Sequence, residues 1–322
     1  MPDYKVVHGT KVLTLSSDPP APFTGQVWYN STTAATKYFF NNPGSWATGG
    51  DLNIARRDVC GFGTQTAAIL TGGVPNNSRS ELYNGSAWTQ IGSPAGDTNT
   101  ARSAGGGSGT VTAGLIFDGT PVNASQTELW NGTNWTELND LNEGRTYGGS
   151  AGTTNTACLW FGGAPDVVDT EIWNGTNWTE VNNMNTGRQS YGSTGTTTSA
   201  LAYGGELNPG GQTALVESYN GTNWTEIANL NTKRKNIGSS GSNNGSALAA
   251  GGDDSGVLGL TEKWNGTSWT EVGDLGIARS NFWQSSVGTV AAGMVSGGRN
   301  PSVTVATEEF TSGDITSTLG SE

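Results

Sequence analysis

Few side chains in this sequence have the types and spacing needed for catalysis or metal binding. The chain has one His, His8, and two Cys, Cys60 and Cys158. A Ser-His-Asp or Cys-His arrangement would have to use His8, and zinc sites need Cys and His ligands at short spacings that these residues lack. We interpret both Cys as small buried side chains rather than as a disulfide, redox or metal pair. We therefore expect no catalytic residues, no metal and no cofactor.

Asp253 and Asp254 are adjacent carboxylates in a stretch rich in Gly and Ser. Such a pair could serve a glycosidase or hold Ca²⁺, but in this context we interpret it as part of a solvated loop. The 27 acidic and 15 basic residues give a net charge of -12, which would repel a phosphate backbone. No run approaches the roughly 18 apolar residues of a membrane-spanning helix. We expect no nucleic-acid partner and no membrane insertion.

The strongest signal is an internal repeat of roughly 45 residues. The motif Glu-x-aromatic-Asn-Gly-x-x-Trp-Thr begins at Glu81, Glu128, Glu171, Glu217 and Glu262. A truncated copy begins at Glu308. An Arg recurs in the same phase at Arg56, Arg102, Arg145, Arg188, Arg234 and Arg279. A Gly pair recurs at Gly72-Gly73, Gly162-Gly163, Gly204-Gly205, Gly251-Gly252 and Gly297-Gly298, with Asp118-Gly119 in its place once. Three markers in one phase indicate a repeat architecture.

Each repeat predicts four short antiparallel strands. A stretch of small residues follows the Arg, and an apolar run then ends at the Gly pair, as in Thr66-Ala-Ala-Ile-Leu-Thr-Gly-Gly. Short apolar runs bounded by turn residues suit buried strands. The third strand carries the Glu and the aromatic residue, and Asn-Gly, a strong hairpin signal, reverses the chain into the Trp strand. Four strands per repeat of this length predict an all-β fold, a β-propeller.

Four features of each unit together resemble the kelch repeat: the Arg, the apolar strand that ends in Gly-Gly, the aromatic residue that follows and the Trp. The resemblance covers residues 46–310 and implies a kelch-like β-propeller. The sequence departs from the family pattern in its short Asn-Gly-Thr-x-Trp turn and in Asp118-Gly119, and both departures concern turn geometry.

Counting the markers predicts how the ring closes. The sixth repeat ends at Phe310 without a Trp strand, whereas Trp46 precedes Arg56 by ten residues, the same spacing as Trp135 to Arg145. We therefore predict six blades, with the Trp46 strand completing the C-terminal blade so that the open sheet edges pair with each other. Seven blades are the alternative, because Val27-Trp-Tyr and Tyr38-Phe-Phe could supply more strands. The predicted domains are an N-terminal extension, residues 1–37, and the propeller, residues 38–322.

Residues that recur in every repeat are expected to be structural. We predict that each repeated Arg pairs with an acid or a carbonyl, the repeated Glu being the candidate partner, rather than forming an anion-binding ring. The repeated Trp residues are expected to pack between neighbouring blades rather than stack on sugars. These Trp residues are Trp46, Trp88, Trp135, Trp178, Trp224 and Trp269.

Recognition is expected in the loops that follow the Gly pairs, because their sequences differ from repeat to repeat and a rigid scaffold would present them on one face. Their polar tips suit hydroxyl-rich or protein surfaces better than an apolar small molecule. The candidate ligand-binding residues are Asn76, Asn77, Arg79, Asn123, Asp166, Asn208, Gln212, Asp253, Asp254, Arg299 and Asn300.

Residues 15–46 contain Pro-Pro, Gly-Gln-Val-Trp-Tyr-Asn-Ser-Thr-Thr and Gly-Ser-Trp. This layout, followed by Asn-Gly-Thr-x-Trp-Thr repeats, resembles tail-fibre and tail-associated proteins of marine bacteriophages. The resemblance implies a non-enzymatic virion component that contacts other virion proteins and a host surface glycan or protein, with a homo-oligomer as a further expectation. The start of the sequence lacks an apolar signal core, so the expected location is the virion after synthesis in the host cytoplasm. The alternatives are a kelch-type protein-interaction scaffold and a polysaccharide-acting enzyme, and residues 1–37 either attach to a particle or pack across the ring.

Overall fold

A computed structural model describes residues 12–75, 78–121, 125–283 and 286–318. The chain divides into two compact units, one formed by Met1–Gly44 with Ser312–Glu322 and one formed by Ser45–Thr311. The predicted domain boundary, between residues 37 and 38, lies before Gly44, where the first segment of this unit ends. The sequence analysis assigns residues 312–322 to the propeller, whereas they group with the first unit.

The described residues form β-strands joined by turns and loops. In chain order the strands are β1 (Leu13–Leu15), β2 (Val27–Asn30), β3 (Ala35–Thr48), β4 (Cys60–Thr64), β5 (Ala67–Thr71), β6 (Ser80–Tyr83), β7 (Trp88–Gln90), β8 (Gly106–Thr110), β9 (Ala113–Phe117), β10 (Thr127–Trp130), β11 (Trp135–Glu137), β12 (Gly149–Thr154), β13 (Ala157–Phe161), β14 (Thr170–Trp173), β15 (Trp178–Val181), β16 (Gly192–Thr196), β17 (Ser199–Tyr203), β18 (Glu206–Leu207), β19 (Gly211–Gln212), β20 (Val216–Tyr219), β21 (Trp224–Glu226), β22 (Gly238–Asn243), β23 (Ser246–Ala250), β24 (Thr261–Trp264), β25 (Trp269–Glu271), β26 (Ser286–Gly288), β27 (Ala292–Ser296) and β28 (Thr307–Thr318). The described part of the chain holds no helix with the length and apolar character needed to cross a membrane.

The described residues of the second unit form six large sheets that follow one another in a closed cycle, and β18 and β19 pair in a further two-stranded sheet. Five sheets have four strands each: β4–β7, β8–β11, β12–β15, β16 with β17, β20 and β21, and β22–β25. In the sixth sheet β26, β27 and β28 are followed by β3. The first strand of each sheet contacts the first strand of the next, and β26 contacts β4, which closes the cycle. The prediction of an all-β propeller is confirmed.

The repeat sequence explains this arrangement. The second strand of each sheet is buried along almost its whole length, as in Ala67–Thr71, because it is covered by sheets on both sides. The first strands are rich in Gly and Ser because they lie closest to the axis of the ring. A Cβ atom at Gly107, for example, would lie 2.4 Å from the carbonyl oxygen of Gly61 in the neighbouring sheet.

The repeated Trp residues join neighbouring sheets. Trp178 in β15 packs edge-on against Phe117 of the preceding sheet, with ring centroids 4.8 Å apart, and its Nε1 donates a hydrogen bond to Thr127 at 2.9 Å. Trp46 in β3 likewise donates to Thr261 of the fifth sheet at 3.0 Å. Its ring centroid lies 5.1 Å from that of Phe310. The N-terminal Trp strand therefore occupies the outer position of the sixth sheet.

The first unit contains strands β1 and β2 and most of β3. Strands β2 and β3 form an antiparallel hairpin in which Val27 pairs with Tyr38 and Asn30 with Ala35. Of the residues that the seven-blade alternative would use for additional strands, 27–29 lie in β2 and 38–40 lie in β3 of this hairpin. Strand β1 pairs with β2 in parallel.

Candidate functional site

Every repeated Arg is buried and forms an ion pair with the Glu of the third strand in its own repeat. The Nη1 atom of Arg188 lies 2.5 Å from Oε1 of Glu217, and both side chains are 0% exposed. Burial lowers the pKa of Arg56 and Arg279 from its ordinary value, because removal from water disfavours the charged form. The six pairs are Arg56 with Glu81, Arg102 with Glu128, Arg145 with Glu171, Arg188 with Glu217, Arg234 with Glu262 and Arg279 with Glu308.

The same Glu also fixes the segment that links one sheet to the next. Glu217 accepts hydrogen bonds from the backbone N–H of Asn185 at 2.7 Å and from its side-chain amide at 2.9 Å. The residue three positions before the repeated Arg is an Asn in five repeats, and all five donate to the Glu of their repeat: Asn53, Asn99, Asn142, Asn185 and Asn231. Sequence reasoning missed these Asn residues, although the constant Asn-x-x-Arg spacing could have found them.

The repeated Arg side chains are enclosed by further contacts within the protein. Each guanidinium is directed into its own sheet, and its hydrogen bonds go to backbone carbonyls as well as to Glu; Arg188, for example, donates to Ala202 at 3.1 Å. Breaking a buried ion pair costs about 3–5 kcal/mol. The repeated charges therefore hold the links and the third strands together.

The loops after the Gly pairs lie together with the links at one end of the ring, which we call the loop face. In every repeat the residue after the Arg forms a β-bridge with the first residue after the Gly pair or its Asp118-Gly119 counterpart. The bridges are Arg57–Val74, Ser103–Thr120, Thr146–Ala164, Gln189–Glu206, Lys235–Asp253 and Ser280–Arg299. The turns between the first and second strands lie at the opposite end, which we call the turn face.

Several predicted loop residues contact each other across neighbouring sheets. The Asp166 carboxylate accepts a hydrogen bond from the backbone N–H of Asn208 at 2.6 Å. The side-chain amide of Gln212 donates to the carbonyl of Asp254 at 3.1 Å. Asp253 accepts from Asn236 at 2.7 Å. The loops of the third, fourth and fifth sheets therefore form one connected polar surface.

The remaining predicted loop residues are distributed more widely. Arg79 lies 3.7 Å from Asp97, and Asn300 donates to the carbonyl of Ala278 at 2.7 Å. Arg299 is exposed, and within the described ranges it has no carboxylate partner inside 4 Å. Asn76, Asn77 and Asn123 lie outside the described residues.

A cluster of side chains that are not repeated in all six sheets lies at the loop-face ends of the first strands. Asp58 is almost completely buried, and its carboxylate pairs with Arg57 at 2.6 Å and accepts from Asn281 at 3.2 Å. Burial raises the pKa of Asp58, while Arg57, Asn281 and Arg299 oppose that rise. Tyr147 packs edge-on against Trp283 with ring centroids 5.0 Å apart. Sequence reasoning did not single out these residues.

Of the groups considered for chemistry, Asp253 and Asp254 lie on the loop face. Cys60 and Cys158 are buried free thiols, as expected, and His8 is outside the described residues. Within the described ranges, no three or more His, Cys, Asp or Glu side chains are grouped to hold a metal ion.

Ser150 lies in Gly148-Gly149-Ser150-Ala151-Gly152, which has the spacing of a nucleophile elbow. An elbow places its Ser on a sharp turn between a strand and a helix. Ser150 instead lies within β12, and its hydroxyl donates to the carbonyl of Gly107 at 3.3 Å. The geometry is that of a strand residue tied to the neighbouring sheet.

Comparison with known proteins agrees with this architecture. No family model matches the chain, and no curated protein matches it. Among solved structures, the chain is similar to the one described as the structure of YjhT, with a TM-score of 0.61 and 14% sequence identity. The similarity covers 80% of this chain and 95% of that chain. At this identity the likeness shows the β-propeller fold alone.

Proposed function

We propose that this protein is a non-enzymatic component of a bacteriophage virion, in a tail fibre or another appendage, and that its loop face binds a glycan or a protein on the host-cell surface. The β-propeller supplies a rigid support, and the loop face supplies the specificity. The virion context rests on the resemblance of residues 15–46 and of the Asn-Gly-Thr-x-Trp-Thr repeats to phage tail proteins.

The observation that carries the proposal is the separation of repeated and varied residues. Repeated charges are buried in Arg–Glu pairs, whereas the varied polar residues gather on the loop face. Asp166 with Asn208 and Gln212 with Asp254 connect loops of neighbouring sheets. Varied polar residues held on a rigid support are typical of a recognition surface.

The chemistry of the loop face favours a polar partner. Amide, carboxylate and guanidinium groups can exchange hydrogen bonds with the hydroxyls of a glycan or with a polar protein surface. Arg299 is exposed and without an ion-pair partner among the described residues, and Arg is enriched at the energetically dominant positions of protein interfaces.

Binding of the labelled protein to host cells tests the loop face. Arg299→Glu reverses an exposed charge there, and we expect it to weaken binding about tenfold or more, the effect of losing a strong interface contact. Thr112→Glu is the matched control, because Thr112 is exposed in a turn on the turn face, and it should bind as the unmodified protein does. Equal binding of both variants would contradict the proposed surface.

Particle purification tests the virion context separately. Antibodies against the protein should label intact particles, and the protein should remain with the particles through density-gradient purification. Recovery only in the soluble fraction of infected cells, together with a stable cellular protein partner, would favour the interaction scaffold instead.

A further inference from the structure

The first strands of the six sheets enclose a cavity of about 460 Å³ that is separate from the loop face. All six sheets contribute to its lining, through the later residues of each first strand and the turns that follow. The volume lies within the roughly 300–1,000 Å³ typical of small-molecule sites. The lining residues place the cavity toward the turn face.

A ring of backbone hydrogen bonds bounds the cavity on the side of the loop face. The residue two positions after each repeated Arg has a positive φ, and five of these residues donate their N–H to the carbonyl of the equivalent residue in the preceding sheet. The donors are Asp58, Ala104, Tyr147, Ser190 and Asn236, with N···O distances from 2.7 to 3.2 Å, and Asn281 completes the set as acceptor for Asp58. The cavity therefore opens away from the loop face.

Every side chain that lines the cavity is uncharged. Hydroxyl groups from several inner strands tie neighbouring sheets together: Ser108 donates to the carbonyl of Thr154 at 2.7 Å and Ser240 to that of Val287 at 2.8 Å. A hydroxyl that donates in this way still has lone pairs that can accept. The first strands are also sheet edges, so they present backbone N–H and C=O groups toward the axis.

The lining is not equivalent all around the ring. The residue before the Gly of each first strand differs among the six sheets: three are apolar, Phe62, Ala151 and Val287, and three carry hydroxyls, Ser108, Thr194 and Ser240. Apolar and hydroxyl-bearing residues are therefore interspersed around the cavity.

We infer that this cavity binds a neutral carbohydrate of about the size of a hexose. A sugar ring combines apolar C–H faces with hydroxyls that donate and accept, which matches a lining of interspersed apolar and hydroxyl groups. A charged ligand would lose its hydration without meeting an opposite charge. A hydrocarbon would leave the backbone groups of the strand edges without partners.

Titration with D-glucose, D-galactose and N-acetyl-D-glucosamine, followed by ligand-observed NMR, tests the inference. We expect saturable binding of at least one of these sugars, and D-glucuronate should bind about tenfold more weakly than D-glucose because its carboxylate is not compensated. Failure of all three sugars to show saturation, or glucuronate binding as tight as the best of them, would overturn the inference.

A matched pair of variants locates the binding. Thr153 is exposed in β12 and lines the cavity, whereas Thr156 is exposed in the turn that follows β12 and lies outside the lining. Thr153→Trp should block the opening and weaken sugar binding about tenfold or more, while Thr156→Trp should leave it within about twofold. Equal loss in both variants, or in neither, would overturn the site. Arg299→Glu should not affect sugar binding here, which keeps this result independent of the proposed host recognition.

Discussion

Replacing Arg188 with Ala asks whether the repeated Arg residues stabilise the fold or bind a ligand. The guanidinium is fully buried, lies 2.5 Å from Glu217 and donates to the carbonyl of Ala202 at 3.1 Å. Its removal leaves a buried carboxylate without its counter-charge, which costs about 3–5 kcal/mol. Because Glu217 keeps two hydrogen bonds from Asn185, we expect a loss near the lower end of that range.

Urea unfolding followed by Trp fluorescence measures this loss. Arg299→Ala is the control, because Arg299 is exposed, and its free energy of unfolding should change by no more than about 0.5 kcal/mol. The double variant Arg188→Met, Glu217→Leu removes both charges and should be more stable than Arg188→Ala. An Arg188→Ala protein that unfolds like the original yet no longer binds host cells would refute the structural role of the ion pair.

Three further predictions concern single side chains. Burial raises the pKa of Asp118 from its ordinary value of 3.8 to about 7, so the folded chain binds this proton more tightly than the unfolded chain does. The free energy of unfolding should therefore fall as the pH rises from 4 to 7, by at most about 1.4 kcal/mol per pH unit. Asp118→Asn should lack this component, and parallel pH curves for the two proteins would contradict it. Trp46→Ala should lower the free energy of unfolding by about 3–5 kcal/mol, because the side chain packs on Phe310, whereas Trp46→Phe should lose less; equal urea midpoints would contradict this. Burial raises the pKa of the Cys60 thiol to about 11 and that of Cys158 well above its ordinary value, so a thiol reagent at pH 8 should modify both only after unfolding, and rapid labelling of the native protein would be inconsistent with their burial.

The sequence predicts the strands well because each one is bounded by a strong local signal. Asn-Gly marks the hairpin between the third and fourth strands, and the Gly pair marks the end of the second. The prediction for the N-terminal region is less accurate. The residues Tyr38-Phe-Phe and Trp46 are assigned to separate strands in the sequence analysis, yet β3 runs without interruption from Ala35 to Thr48.

The candidate site was predictable only in part. Variation among repeats points to the loops, but it does not show which loops touch, and the contact between Asp166 and Asn208 depends on how neighbouring sheets pack. The cluster at Asp58 depends on an irregularity in the last repeat. Gly288 follows Arg279 by nine residues, whereas Gly195 follows Arg188 by seven, and the added segment includes Trp283.

Asp118 shows how the fold absorbs a departure from the repeat. It replaces the first Gly of a pair and has a positive φ of 62°, which Asp tolerates better than most residues. Its carboxylate accepts hydrogen bonds from Trp160 at 2.5 Å and from the backbone N–H of Arg145 at 2.8 Å. In the other repeats the position of Trp160 is taken by residues without a side-chain donor: Leu70, Ile116, Ala202, Ala249 and Val295. The two departures therefore satisfy each other inside the ring: the carboxylate that replaces a Gly is paired with the one indole N–H at this position of the second strands.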